Sequence, residues 1–243
     1  MQTNRDLALE EDSMNIALIL AGVSGTRVGG AVPKQYRRVG GRPVISYCLE
    51  TFSRLEEIGH IQIVAEEQWR SLAAESIRGK TYDFSKPGMT RQLSIFSGLR
   101  DLMGTFEGDD LVVIHDAARP LVSGKQILDC INGARGHDGA MPVLPVKDTL
   151  YVSDSGERVS GLLDRGRIYA GQSPECFALG LYYEANRVLL PERILRVSGS
   201  TEPAVMAGMD IALVKGDEDN YKITTEKDME RFCNEVERNE TRR

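Results

Sequence analysis

Short apolar runs rich in β-branched residues recur along this chain, with helical patterns between them. Residues 16–20, 61–65, 111–115, 140–146 and 211–215 read as strands. Residues 43–53, 68–78, 91–103, 123–135, 179–189 and 225–238 carry the helical period. Pro43 suits a first helical turn, where its missing N–H costs nothing. Ser123 and Thr225 suit N-caps, and Asp228, three residues after Thr225, makes a variant of the capping box. Strands that alternate with helices build a mostly parallel sheet covered on both faces. Ligands of such a sheet gather beyond the carboxyl ends of the strands.

One stretch interrupts the alternation. Residues 149–172 are too long for a simple connection, and Ser153-Asp154-Ser155-Gly156 is a hairpin turn signal within them. A protruding β-arm accounts for the stretch, and such an arm suits pairing with another subunit. The expected organisation is one domain over residues 14–243 with an arm at about 149–172. Residues 1–13 are polar and acidic, lack the apolar segment of a signal peptide, and are expected to be a disordered leader.

Composition narrows the partners. A chain of 243 residues, 41% hydrophobic and 27% charged, can bury one sizeable core. Its formal net charge of −6 gives no general attraction to nucleic acid or anionic membrane, so cations in any binding site must be gathered locally. Cys48, Cys130, Cys176 and Cys233 have neither zinc-finger nor redox spacing. Unpaired thiols fit a reducing cytoplasm. No apolar stretch reaches the length of a membrane helix.

The segment with most chemistry is Ala21-Gly22-Val23-Ser24-Gly25-Thr26-Arg27-Val28-Gly29, directly after the first strand and followed by Pro33-Lys34-Gln35. Glycines there let backbone amides approach an anion, while Arg27 and Lys34 supply fixed positive charge. The segment is neither the dinucleotide fingerprint G-x-G-x-x-G nor a P-loop, since no Gly-Lys-Ser/Thr follows. A nucleoside triphosphate suits it better than a dinucleotide. Asp116, at the tip of the strand at 111–115, is placed to hold Mg²⁺, which takes a carboxylate together with substrate phosphates. His115 reads as a packed, hydrogen-bonded side chain. In Gly88-Met89-Thr90-Arg91-Gln92-Leu93-Ser94 a glycine turn enters a helix whose free amides and Ser94 hydroxyl could read the polar edge of a base. Lys222, in Asn220-Tyr221-Lys222-Ile223-Thr224-Thr225, could bring a third cation to the phosphates, and Arg165 lies on the arm.

Taken in order, these motifs resemble the CTP-dependent cytidylyltransferases of alditol phosphates, a family that includes enzymes for 2-C-methyl-D-erythritol 4-phosphate and for ribitol 5-phosphate. Further anchors are Tyr36, His115-Asp116-Ala117-Ala118-Arg119-Pro120, Pro145-Val146-Lys147-Asp148-Thr149, Leu163-Asp164-Arg165 and Gln172-Ser173-Pro174. The resemblance runs from Asn15 to about Phe232 and implies a Rossmann-like nucleotidyltransferase α/β fold. It implies that Arg27, Lys34 and Lys222 bind the triphosphate and stabilise charge at the α-phosphorus. Ala21, Gly22, Gly25 and Ala117 would belong to the nucleotide site, with Gly88 and Ser94 recognising cytosine and Asp116 holding Mg²⁺. Arg119, Lys147 and Thr149 would lie near the alditol phosphate. Arg165 would reach that phosphate from the partner subunit of a homodimer and act in catalysis.

Some positions depart from the family pattern. Val23 and Pro87 stand where the family has glycines, and Ser173 stands for a threonine. Gly199-Ser200-Thr201-Glu202-Pro203-Ala204 occupies the region of the family's Thr-Asp-Asp/Glu-Ala segment. Three functions follow as expectations. The first is transfer of CMP to 2-C-methyl-D-erythritol 4-phosphate in isoprenoid precursor synthesis. The second is the same chemistry on ribitol 5-phosphate for a surface polymer, towards which Tyr169-Ala170-Gly171-Gln172 leans. The third is a non-catalytic nucleotide-binding regulator on the same scaffold.

Overall fold

The computed structural model describes residues 13–22 and 32–241. The expected leader falls almost wholly outside them. In chain order the strands are β1 (Asn15–Leu20), β2 (Arg38–Val39), β3 (Arg42–Pro43), β4 (Ile58–Val64), β5 (Thr81–Ser85), β6 (Leu111–Asp116), β7 (Gly139–Pro145), β8 (Tyr151–Val152), β9 (Gly161–Leu162), β10 (Tyr169–Gly171), β11 (Glu175–Ala178) and β12 (Ile211–Lys215). The helices are α1 (Val44–Arg54), α2 (Glu67–Ala74), α3 (Arg91–Leu102), α4 (Gly124–Gly133), α5 (Leu179–Arg187), α6 (Glu202–Met206) and α7 (Glu226–Thr241).

The main sheet runs β5-β4-β1-β6-β11-β7, with β12 alongside β7 and β10 paired to the far end of β7. β4, β5 and β6 join β1 in parallel, and β12 is parallel to β7. β11 is antiparallel to both β6 and β7. The sheet is thus mostly parallel, with β11 reversed beside its centre and the short β10 reversed at its end.

β1 shows why the apolar runs are continuous. Ile16, Leu18 and Leu20 pack on one face with Ile95 and Leu99 of α3, Phe177 and Tyr182. Ala17 and Ile19 pack on the other with Ile45, Leu49 and Phe52 of α1 and Ile127 of α4. Successive side chains alternate between faces, so a strand covered on both must be apolar throughout. A third cluster seats α7, through Met229, Phe232 and Val236, on Val39, Val44 and Ile223. No helix among the described residues is long and apolar enough to cross a membrane.

The N-caps expected at Ser123 and Thr225 both form. Ser123 Oγ accepts from the Gln126 amide at 3.2 Å. Thr225 Oγ1 accepts from the Asp228 amide at 3.2 Å while Asp228 Oδ2 accepts from the Thr225 amide at 2.8 Å, a reciprocal capping box. Pro43 differs from expectation: it precedes α1 in an extended conformation, pairing with Arg38 as the end of a small hairpin. Within the 149–172 stretch, β8 and β9 form an antiparallel hairpin. Its turn carries Gly156 at φ +77°, which favours glycine, and Ser153 Oγ accepts from the Gly156 amide. Tyr151, Val159 and Leu162 on this hairpin are each more than half exposed.

Parallel register sets the place of the site. Leu20 pairs with both Val64 and Asp116, and Val64 pairs with Ser85. The carboxyl ends of β1, β4, β5 and β6 therefore share one edge, where Ala21, Pro87, Gly88 and Ala117 follow.

Candidate active site

Asp116 closes β6 and is buried among cations. Arg91 Nε lies 3.0 Å from Oδ1, Lys222 Nζ 2.9 Å from Oδ2, and Arg119 Nε 4.0 Å from Oδ2. Burial alone would raise the carboxyl pKa, but the charges of Arg91 and Lys222 outweigh it and hold Asp116 well below the usual carboxylate range. Arg119 Nη1 also donates to the Asn220 carbonyl at 2.6 Å, tying β6 to the segment that carries Lys222. His115 faces the core, where burial lowers its pKa to about 4. Its Nε2 meets the Arg119 carbonyl at 3.0 Å and its Nδ1 meets Ser173 Oγ at 3.2 Å. It is the packed histidine the sequence suggested.

Arg91 is the first residue of α3, whose N-cap Thr90 accepts from the Leu93 amide. The cap aims the helix start at the end of β6 and so delivers the guanidinium to Asp116. The same turn joins Gly88 to Ser94: the Gly88 amide donates to Ser94 Oγ at 3.0 Å, and Ser94 Oγ donates to the Thr90 carbonyl at 3.0 Å. A Cβ on Gly88 would stand 2.4 Å from Leu93 Cβ and 2.7 Å from the Leu93 carbonyl carbon. A Cβ on Gly22 would stand 2.2 Å from Pro87 Cβ. Pro87 thus packs directly on Gly22, the second residue after β1.

The Pro33-Lys34-Gln35-Tyr36 segment locks onto the same edge. Gln35 Nε2 and Tyr36 Oη both donate to the Ala21 carbonyl, at 2.7 and 3.1 Å. Lys34 Nζ donates to the Ile223 carbonyl, beside Lys222. The Ala117 amide donates to the Leu20 carbonyl at 3.1 Å. Lys222 thus pairs with Asp116, and Lys34 meets the backbone of the residue that follows Lys222. Val23, Gly25 and Arg27 lie outside the described residues.

Arg91, Asp116, Arg119 and Lys222 line one cavity together with Ser173, Glu175, Ser200 and Thr201. Lys147, Thr149 and Arg165 are not among its lining residues. The Lys147 ammonium pairs with Glu218 at the surface, and the Lys147 carbonyl accepts from Arg165 Nη1 at 3.0 Å. All three residues are exposed.

Two residues go beyond the sequence expectations. Arg91 belongs by sequence to the base-binding turn, although an arginine at the first position of a helix entering this edge is a visible signal for the carboxylate contact. Glu175 has no sequence signal, because one carboxylate after a proline carries no pattern. It is buried, and both its oxygens are engaged: Oε2 accepts from Ser200 Oγ, and Oε1 from Thr201 Oγ1 at 2.9 Å. Burial pushes its pKa up, against the pull of Arg91 and the two hydroxyls.

Asp116 meets the needs of a hard cation in one limited way. It is ionised, and among the described residues each oxygen accepts a hydrogen bond from one cationic neighbour, leaving lone-pair capacity. Among the described residues no group of three or more His, Cys, Asp or Glu could hold a metal alone. A Mg²⁺ with one protein carboxylate and nucleotide phosphates for its other ligands is compatible with that donor set.

The model of the 2-C-methyl-D-erythritol 4-phosphate cytidylyltransferase family matches residues 15–234. The 2-C-methyl-D-erythritol 4-phosphate cytidylyltransferase of Rubrobacter xylanophilus is 38% identical, over 88% of this chain and 91% of that protein. The bifunctional enzyme IspD/IspF of Bradyrhizobium diazoefficiens is 34% identical over 89% of this chain, which spans only 54% of that longer relative. In three dimensions, the 4-diphosphocytidyl-2C-methyl-D-erythritol synthase of Anaerococcus prevotii superposes with a TM-score of 0.79 at 27% identity, covering 93% of this chain and 96% of the other. With the cation-ringed Asp116 standing where the parallel strands end, these matches mean that the chain belongs to the 2-C-methyl-D-erythritol 4-phosphate cytidylyltransferase family.

Proposed function

We propose that this chain transfers CMP from CTP to 2-C-methyl-D-erythritol 4-phosphate, releasing pyrophosphate, as a step towards isoprenoid precursors. The observation that carries the proposal is the ring of Arg91, Arg119 and Lys222 around Asp116, next to the Gly88–Ser94 turn.

An oxygen of the acceptor phosphate attacks the α-phosphorus, and the bond from that phosphorus to pyrophosphate breaks. The second pKa of a phosphate monoester is about 6, so near neutrality the attacking group is mostly a dianion and needs no general base. The obstacle is repulsion between two polyanions. Lys34, Lys222, Arg91 and Arg119 offset it, because fixed charges in a partly dry site need no reorganisation as the transition state forms. Arg27 adds to this set from the segment after β1. Gly88 and Ser94 hold the cytosine, Ala21, Gly22, Gly25 and Ala117 line the nucleotide site, and Arg119 takes the acceptor phosphate. Asp116 would hold Mg²⁺, which neutralises triphosphate charge. Lys147, Thr149 and Arg165 complete the acceptor site in a homodimer assembled through the arm.

Pyrophosphate release with each nucleoside triphosphate, against a panel of four- and five-carbon alditol phosphates, tests the proposal. The expected result is turnover with CTP and 2-C-methyl-D-erythritol 4-phosphate. Preference for ribitol 5-phosphate overturns the acceptor, and CTP binding without turnover of any acceptor overturns the activity.

A further inference from the structure

We infer that Glu175 is a positioning residue that makes one wall of the acceptor cavity accept, but not donate, hydrogen bonds. This rests on the proposed activity and names the part of the same site that reads the polyol end of the acceptor.

Ser200 and Thr201 line the cavity beside Arg91, Arg119 and Lys222. A serine or threonine hydroxyl has one proton and two lone pairs, whereas an ionised carboxylate can only accept. Glu175 takes the Ser200 proton on one oxygen and the Thr201 proton on the other. Both hydroxyls are left with lone pairs alone to offer a ligand. The turn that carries them is held from other sides. Tyr182 Oη donates to the Ser200 carbonyl at 2.6 Å, and Glu202 Oε2 accepts from the Ser198 amide at 2.8 Å. Gln92, next to Arg91 in α3, donates to Tyr182 Oη at 3.3 Å, so the wall is tied to the helix that grips Asp116.

The cavity therefore has two chemistries. The guanidinium and ammonium groups suit a phosphate. The Glu175-ordered hydroxyl oxygens suit groups that donate, and repel anionic oxygen. An alditol phosphate fits both only when its phosphate lies with the cations and its hydroxyls with Ser200 and Thr201. Glu175→Gln keeps the shape but lets an amide donate to one hydroxyl, releasing that hydroxyl's proton into the cavity.

The test compares wild type, Glu175→Gln and Thr201→Val with an alditol phosphate and with its monodeoxy analogues. In wild type the hydroxylated acceptor should be favoured. In each variant KM for that acceptor should rise by about three- to tenfold, the worth of one hydrogen bond, with a smaller fall in kcat and an unchanged KM for CTP. Preference over the deoxy analogue should shrink by the same factor. Unchanged preference in Glu175→Gln, or in Thr201→Val should the first variant not fold, overturns the inference. So does an equal loss towards both acceptors with a raised KM for CTP, which marks a merely structural role. A wild-type protein inactive with every acceptor overturns the activity itself, and this inference with it.

Discussion

Single residues at the sheet edge act either through charge or through the absence of a side chain. Lys34 is a case of charge. Its ammonium reaches the carbonyl next to Lys222, so one cation is anchored to the segment that carries another. Lys34→Ala should lower kcat by about 10²–10³, the usual loss for one preorganised charge, with a smaller change in KM for CTP. Steady-state kinetics decide, and normal turnover would remove Lys34 from the mechanism. Gly88 is a case of absence. Any Cβ there collides with the backbone of Leu93, which cannot yield without moving the first turn of α3. Gly88→Ala should cost about 1–3 kcal/mol in denaturant unfolding, the range for overpacking, and raise KM for CTP because Ser94 and Arg91 move with that turn. A variant of wild-type stability and KM would mean that the turn has room the geometry does not show.

At the scale of elements, apolar runs, the caps at Ser123 and Thr225 and the turn at residues 153–156 were legible, whereas an exposed edge strand and an inserted reversed strand were not. α7 was announced by Thr225 and Asp228, and its box forms. Burial opposes ionisation of Asp228, but the amides and hydroxyls of Thr224 and Thr225 more than offset it and lower its pKa to about 2. A carboxylate depressed on folding contributes stability above its ordinary pKa and loses it as pH falls through the folded value, here from about pH 4 to pH 2. Asp228→Ala should cost about 1 kcal/mol at neutral pH, as lost caps do, and the wild-type advantage should vanish by about pH 2. Thermal melts across that range check it; an advantage that persists in acid would assign it to packing. By contrast β5 stayed hidden because three of its five residues, Thr81, Tyr82 and Asp83, are exposed at an edge, so no apolar run marks it. β11 stayed hidden because only Cys176 and Phe177 are apolar in its buried stretch, and its antiparallel insertion breaks the alternation that exposed the other strands. The site follows the same rule. Asp116 was visible because it ends a long apolar run; Glu175 was not, since its meaning comes from Ser200 and Thr201, some 25 residues further along the chain.

For the whole molecule, the arm raises the question of whether one chain makes one site. Among the described residues β8 and β9 pair only with each other, and Tyr151, Val159 and Leu162 expose large apolar area on a two-stranded hairpin. Such a hairpin is marginal in water unless something packs on it, and the proposed homodimer supplies that surface. Light scattering should give a dimer, and Leu162→Glu, which puts a charge in the apolar strip, should shift it towards monomer. If Arg165 reaches a neighbour's cavity, Arg165→Ala should raise KM for the acceptor and leave KM for CTP nearly unchanged. Arg165→Ala and Lys222→Ala then fail in different sites. A heterodimer of the two pairs an intact arm with an intact cavity once, so at acceptor concentrations where neither parent variant turns over a statistical mixture, half of it heterodimer with one good site in two, should recover about a quarter of wild-type turnover. That arithmetic needs an arm that crosses between chains. If Arg165 instead serves its own chain, through the contact it makes with the Lys147 carbonyl, every site in the mixture carries a lesion and mixing restores nothing.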